Sequence, residues 1–327
     1  MTAVTQIGHA TDTGKKRRRN EDEYVVEPPL FAVADGMGGA QAGELAASLA
    51  AGAVRDDQLE AGSGERRVAE LIQEANRRIY RRSNEDAAVS GMGTTMTVAL
   101  VEDGTVSFGH VGDSRAYLIR DGRLEQLTED HSLVAELVRS GQLSPEEAET
   151  HPQRSVITRA LGSDPDVDVD TFSLEARPRD LFMICSDGLT SMVDDDVILR
   201  TIEKHRNNLQ GAAKALIKAA NKGGGEDNIT VVFFEIGEAS GEPLEETAQY
   251  PAFGNGELAE VDDEDTLDEL DRVPAVDTMV VPPEEAAKFA QAAEPKRRTR
   301  SRVIPVLLLI LVALVVIAIV LWTLRGR

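Results

Sequence analysis

Leu30-Phe31-Ala32-Val33-Ala34-Asp35-Gly36-Met37-Gly38-Gly39 is the stretch on which the reading of this chain turns. Five apolar residues lead into one acid, and three glycines follow within four positions. An unbroken apolar run is how a strand covered on both faces reads. The glycines let the backbone turn tightly behind it, so Asp35 is presented at a strand tip. The pattern recurs in Met183-Ile184-Cys185-Ser186-Asp187-Gly188, and Phe108-Gly109-His110-Val111-Gly112-Asp113-Ser114 sets another acid after a β-like run. Gly223-Gly224-Gly225-Glu226-Asp227-Asn228 places one more just before a strand. Lone acids at several strand ends imply one shared cluster.

Working outward, short β-like runs occur at Tyr24–Val26, Leu30–Ala34, Thr94–Val101, Val106–Val111, Arg115–Arg120, Thr171–Leu174, Leu181–Cys185 and Ile229–Ile236. Turn signals such as Asp103-Gly104 and Asp121-Gly122 join some of them, which predicts antiparallel meanders. Helices are expected over Ala40–Val54 and Glu65–Arg82, the second with Val68, Leu71, Ile72, Ala75 and Ile79 on one stripe. Two more precede the last strand, at Asp194–Lys204 and Leu209–Asn221. Strand runs separated by helix pairs argue for an α+β domain of packed antiparallel sheets flanked by helices. Between Asp130 and Asp170 the pattern is less regular. A helical stretch Leu133–Ser140 and the capping signal Ser144-Pro145-Glu146-Glu147 describe a flap over about 131–170.

The formal charge of −22 is unevenly spread. Residues 1–237 read as one domain with 26 basic and 40 acidic side chains, which leaves no basic patch for a nucleic acid. Residues 238–295 carry 17 acids against 2 bases and six prolines, the composition of a disordered linker. A basic juxtamembrane segment, 296–302, then precedes 303–324, which has no charged residue and is long enough to cross a bilayer as a helix. Residues 325–327 form a short extracytoplasmic tail. Five positive charges before the span and two after it put the N-terminal domain in the cytoplasm. The single Cys185 cannot form an internal disulfide.

If Asp35, Asp113, Asp187 and Asp227 converge with Glu21 and Asp22, they cannot all stay ionised unless cations hold them. Carboxylates without histidines select hard cations, magnesium or manganese. The five histidines form no zinc motif, and of them only His131, between Asp130 and Ser132, invites attention. Two metals bridged by one carboxylate activate a water and clamp an in-line displacement at phosphorus. A phosphate dianion there wants a guanidinium, and Arg17-Arg18-Arg19 offers three.

The ordered set Arg17–Asp22, Asp35-Gly36-Met37-Gly38-Gly39, Gly93-Thr94-Thr95, Val111–Tyr117, Leu127–Ser132, Ile157–Gly162, Ser186-Asp187-Gly188 and Glu226–Thr230 resembles the metal-dependent protein phosphatase 2C family. The likeness covers about residues 5–237 and is strongest to the membrane-anchored bacterial members that oppose eukaryotic-like Ser/Thr kinases in actinobacteria. It implies a four-layer αββα fold, with a central antiparallel β-sandwich flanked by helix pairs, and removal of phosphate from phosphoserine and phosphothreonine proteins, such kinases among them. It also implies two Mn2+ or Mg2+ ions per site and a possible third, weaker one. By the family's pattern Asp35 bridges both metals and the Gly36 carbonyl binds one. Asp187 and Asp227 hold one metal, Glu21 acts through water, Asp113 belongs to the third ion, and Arg17 takes the phosphate with a slip to Arg18 or Arg19 left open. Met37 stands where some relatives have a histidine proposed as general acid, and methionine cannot donate a proton.

Rival readings differ in class. A cysteine-dependent tyrosine phosphatase needs an arginine six residues after its cysteine, and position 191 is Ser191. A catalytically weak phosphoprotein-binding module on the same fold would be expected to have lost a metal carboxylate, and none is missing. A membrane scaffold recruiting partners through the acidic linker is compatible with catalysis.

Overall fold

A computed structural model of the chain describes residues 2–39, 41–56, 64–238 and 279–280. Among these, two antiparallel sheets lie face to face. One has the order β1 (Thr2–Asp12), β12 (Ile229–Glu238), β11 (Leu181–Cys185), β7 (Arg115–Arg120), β8 (Arg123–Gln126). The other runs β10 (Asp170–Glu175), β6 (Thr105–Val111), β5 (Met96–Glu102), β3 (Leu30–Met37), β2 (Asp22–Glu27), with β4 (Gly93–Thr94) beside the end of β3. Helices α1 (Ala42–Arg55) and α2 (Gly64–Glu85) pack on the second sheet; the short α5 (Asp187–Thr190) follows β11, and α6 (Asp195–Lys204) and α7 (Leu209–Gly223) cover the first. The four-layer αββα expectation therefore holds for the described domain.

The layering explains the uninterrupted apolar runs. Along β11, Leu181, Met183 and Cys185 face the helices, while Phe182 and Ile184 face the opposing sheet. In β3, Leu30, Ala32 and Ala34 face the helices and Phe31 and Val33 face inward. Both faces are buried, so the period-2 alternation of a half-exposed strand disappears. Phe234 joins the two sheets through stacked rings, with centroids 4.3 Å from Phe31 and 5.1 Å from Phe182. On the outside, Ala46, Ala47, Ala50 and Ala51 of α1 are buried. Such small side chains let a helix lie close to its sheet.

Several strand ends meet at one end of the sandwich. By their pairing, β3 and β6 run the same way and β2 opposite within one sheet, and β11 runs opposite to β7 and β12 within the other. Residues 22, 35, 113, 187 and 227 lie in or next to the ends of these strands. Asp22 is the direct cross-strand partner of Asp35. The flap follows β8 and contains α3 (Leu133–Arg139), α4 (Pro145–Glu149) and β9 (Val156–Ile157). Ser132 caps α3, and Ser144 with Glu147 forms the anticipated capping box on α4. At the flap's far end, buried Asn76 of α2 donates to the Asp164 and Pro165 carbonyls and accepts from Gly162 N–H.

Several features depart from the sequence reading. The structure adds strand β1 and the short β8 and β9, and it divides the Thr94–Val101 run into β4 and β5 at Thr95. Within the segment expected to stay unfolded, Met279–Val280 (β13) pairs in parallel with β9. The remainder of 238–295, the basic segment 296–302 and the apolar run 303–324 lie outside the described residues. Among the described residues no helix is long and apolar enough to cross a membrane.

Phe234→Ala removes the ring shared by both sheets and should cost about 3–5 kcal/mol of stability. Urea denaturation checks this; a midpoint like that of the unaltered protein would contradict the packing account.

Candidate active site

The sheet ends hold the acids by main-chain and hydroxyl contacts. Asp35 N–H donates to Thr95 Oγ1 at 3.1 Å. Its carbonyl receives the Thr95 N–H at 2.9 Å and the Thr94 hydroxyl at 2.8 Å. Behind it the backbone approaches α1 so closely that a Cβ on Gly36 would stand 2.2 Å from the Gly43 carbonyl oxygen. A Cβ on Gly43 would stand 2.0 Å from Glu21 Oε2. Only glycine fits at either position.

Glu21 and Asp22 enter from the start of β2. Glu21 N–H donates to Asn228 Oδ1 at 2.8 Å, and Gly36 N–H to the Glu21 carbonyl at 3.2 Å. Asp22 Oδ2 receives Ser186 Oγ at 2.8 Å and Thr230 Oγ1 at 2.7 Å. Asn228 also donates to the Thr13 and Arg19 carbonyls at 2.9 Å each. It ties the β2, β12 and arginine segments together.

A cavity of about 20 Å³ is lined by Arg17, Glu21, Asp35, Gly36, Met37, Asp227 and Asn228. A broad cleft of about 1000 Å³ is walled by Asp113 and Asp187, by flap residues including Ser132, Val134 and Arg154, and by Asp194 and Asp195 at the start of α6. Of the three consecutive arginines, Arg17 is the one lining the small cavity, with its Nη2 2.8 Å from Asp227 Oδ2. Arg18 is exposed, and Arg19 reaches Glu44 at 3.5 Å on the surface.

Electrostatics shows that the acids face one another. Burial, and then the charges of Asp22, Asp187, Asp227 and Asp113, push the Asp35 carboxyl well above its ordinary range. Burial followed by Asp113, Asp227 and Asp22 does the same to Asp187. Asp113 is raised to about 7 by burial and then by Asp130. Asp22 is raised to about 6 by burial, against the pull of its two hydroxyl donors. Every expected site residue is thus gathered at one end of the sandwich. Asp22, Asn228, Thr95, Ser186 and Thr230 complete the arrangement.

The donor set is all oxygen. Two carboxylate oxygens, Asp187 Oδ1 and Asp22 Oδ1, are buried without a hydrogen-bond partner. Among the described residues no group of three or more histidine, cysteine or acid side chains lies close enough to hold a metal ion. Hard divalent ions fit this chemistry, and an imidazole- or thiolate-seeking ion does not. Cys185, the one thiol, is buried within β11 and raised to about 12, so it is no nucleophile here.

Comparison with known proteins identifies the family of the domain. A family model described as Protein phosphatase 2C matches residues 16–219. The serine/threonine phosphatase stp of Listeria welshimeri is 41% identical over 236 residues, covering 69% of this chain and 93% of that protein. The serine/threonine protein phosphatase PstP of Mycobacterium tuberculosis is 38% identical over 238 residues, covering 72% of this chain and 46% of that protein. A crystal structure of PstP superposes with a TM-score of 0.68 at 38% identity, covering 71% of this chain and 99% of that one. The PstP catalytic domain in complex with two manganese ions gives 0.67 at 35% identity, covering 73% and 100%.

With folded values above the ~4 of an unfolded carboxylate, the metal-free fold binds more protons than the unfolded chain. The cluster's contribution to stability is therefore full below about pH 4 and is lost as the pH rises through about 6 for Asp22 and about 7 for Asp113. In chelator, the urea midpoint should fall between pH 5 and 8, and saturating Mn2+ should flatten that slope. A slope indifferent to Mn2+ would separate the acids from metal binding.

Proposed function

The chain belongs to the protein phosphatase 2C family, and from that premise we propose that it is a metal-dependent protein serine/threonine phosphatase whose active site is the acid cluster at the sandwich end. The observation that carries this reading is the set of mutually repelling carboxylates, none of them missing, beside a guanidinium and an open cleft. Asp35, the Gly36 carbonyl, Asp187 and Asp227 would hold two Mn2+ or Mg2+ ions, with Glu21 acting through water and Asp113 toward a weaker third. When bound, such ions lower the pKa of water and neutralise the oxygens of an in-line displacement at phosphorus.

The chain's own residues do the rest. Arg17, half-buried and aimed by Asp227, binds the phosphate with its planar donors. The cleft admits an extended peptide while the flap and α6 form its walls. Met37 supplies no proton, so the leaving serine or threonine oxygen takes its proton from water or from another group. The weak phosphoprotein-binding alternative has no feature to favour it here.

The same reading extends to the C-terminal part. Residues 238–295 serve as an acidic linker, 296–302 as a basic juxtamembrane segment and 303–324 as a single membrane-spanning helix, with the catalytic domain in the cytoplasm and eukaryotic-like kinases among the substrates. Its support is the sequence: the abrupt charge change and the uncharged run.

The test is hydrolysis of a phosphothreonine peptide by the purified protein as Mn2+ is titrated in and then chelated. Activity should appear with the ion and vanish with the chelator. Asp35→Asn and Asp187→Asn should each reduce turnover by at least about a hundredfold in a folded protein; retained turnover would remove the metal assignment. Arg17→Ala should chiefly raise KM, and an unchanged KM would move phosphate binding to another cation.

A further inference from the structure

The turn between β6 and β7 carries Asp113, and residue 131 grips that turn at two points. The His131 main-chain N–H donates to the Gly112 carbonyl at 2.8 Å, and Gly112 N–H donates to His131 Nδ1 at 3.0 Å. Gly112 has φ +113°, and a Cβ there would stand 2.5 Å from the Thr95 side chain, so the turn has little slack on that side. On the other flank, Ser114 Oγ lies 2.8 Å from Thr95 Oγ1, the atom that accepts the Asp35 N–H. Asp113 is thus suspended between the His131 clamp and a hydroxyl pair that ends on Asp35.

The other side of His131 faces the flap. Since Nδ1 accepts, Nε2 carries the hydrogen, and it donates to Asp170 Oδ2 at 3.0 Å. Arg159 Nη1, 3.0 Å from that nitrogen, gives its hydrogens to Asp170 Oδ1 at 2.6 Å and to the Asp168 carbonyl at 3.2 Å. The His131 carbonyl receives the Thr158 N–H at 2.8 Å. Thr158 and Arg159 directly follow β9. The imidazole is 5% exposed and packs on the His110 ring at 4.8 Å, and burial favours its neutral form.

We propose that His131 is a positioning residue that holds the Asp113 turn in its working place and makes that place depend on the seating of the flap. A phosphopeptide entering the cleft meets the flap residues on either side of this contact, so its docking bears on Asp113 through one imidazole. The inference rests on the phosphatase reading for its effect on turnover; the Gly112 clamp itself does not.

The two ring nitrogens can be tested apart. His131→Asn keeps an acceptor near Nδ1 and loses the Asp170 contact, whereas His131→Gln reaches Asp170 and leaves Gly112 N–H without an acceptor. In metal-free protein, exchange of the Gly112 amide hydrogen should quicken by at least about tenfold in His131→Gln and stay near its original rate in His131→Asn. In the Mn2+-loaded protein, kcat on a phosphothreonine peptide should fall about tenfold in His131→Gln, with the smaller change in KM, and recover to within about twofold in His131→Asn.

A double-mutant cycle with Asp113→Asn decides the route: on that background His131→Gln should add nothing to the loss in kcat or, by calorimetry, in Mn2+ affinity. Equal losses on both backgrounds, or unaltered Gly112 exchange with unaltered kcat, would overturn the proposal. An unsubstituted protein that fails to hydrolyse the peptide would sink the phosphatase reading instead, and the exchange and calorimetric cycles would still judge the clamp.

Discussion

Carboxylates that repel one another at one end of a sandwich are the constraint on which the rest of this structure depends. Asp22, Asp35, Asp113 and Asp187 are all raised by burial and by neighbouring acids, so left alone they oppose the ionised fold. What holds them is the body of the domain, with two sheets locked by the Phe31, Phe182 and Phe234 rings and two helix layers outside. The rigid part supplies the free energy that the site consumes. A divalent cation turns the same arrangement from a liability into a stabilising element by favouring the ionised acids.

Much of this was legible because the four-layer plan buries β3 and β11 on both faces, leaving apolar runs that end in an acid. Strands of that kind announce themselves without alternation, and Asp35 and Asp187 were found by where the runs stop. The edges were harder. Strand β1 lies at the sheet margin beside β12 alone and carries Thr5, Gln6 and His9 among few large apolar residues. Its place is set by a partner more than two hundred residues away, which no local pattern reveals. The division between β4 and β5 at Thr95 likewise answers to a tertiary need, since that residue leaves the ladder to hold Asp35 and Ser114.

The supporting shell was legible only in part for the same reason. Asn228 was visible as the neighbour of Asp227, but its work is to join the Glu21 N–H to the Thr13 and Arg19 carbonyls, contacts that exist only in three dimensions. Choosing among Arg17, Arg18 and Arg19 also had to wait for the fold. Consecutive residues of a loop point in different directions, and it is the fold that turns Arg17 toward Asp227 while its neighbours face outward.

Met37 gives the flap a second point of attachment. A residue at the rim of an acid cluster is expected to be polar, yet Met37 is 5% exposed and packs with Ile157 and Ala160, one in β9 and one just beyond it. A flexible thioether fills an irregular gap well, so this position contributes apolar contact to the foot of the flap and no proton. His131 grips the following residues from the other direction through polar contacts, Thr158 directly and Arg159 by way of Asp170. The flap is therefore fastened on two sides of the acids by different chemistry. The apolar seat tolerates small sliding, because dispersion is non-directional. The hydrogen-bonded seat does not, because its geometry weakens steeply with angle. Sliding of the flap is thus cheap at Met37 and costly at His131, which is why the consequence falls on Asp113 and leaves Asp35 on its rigid strand.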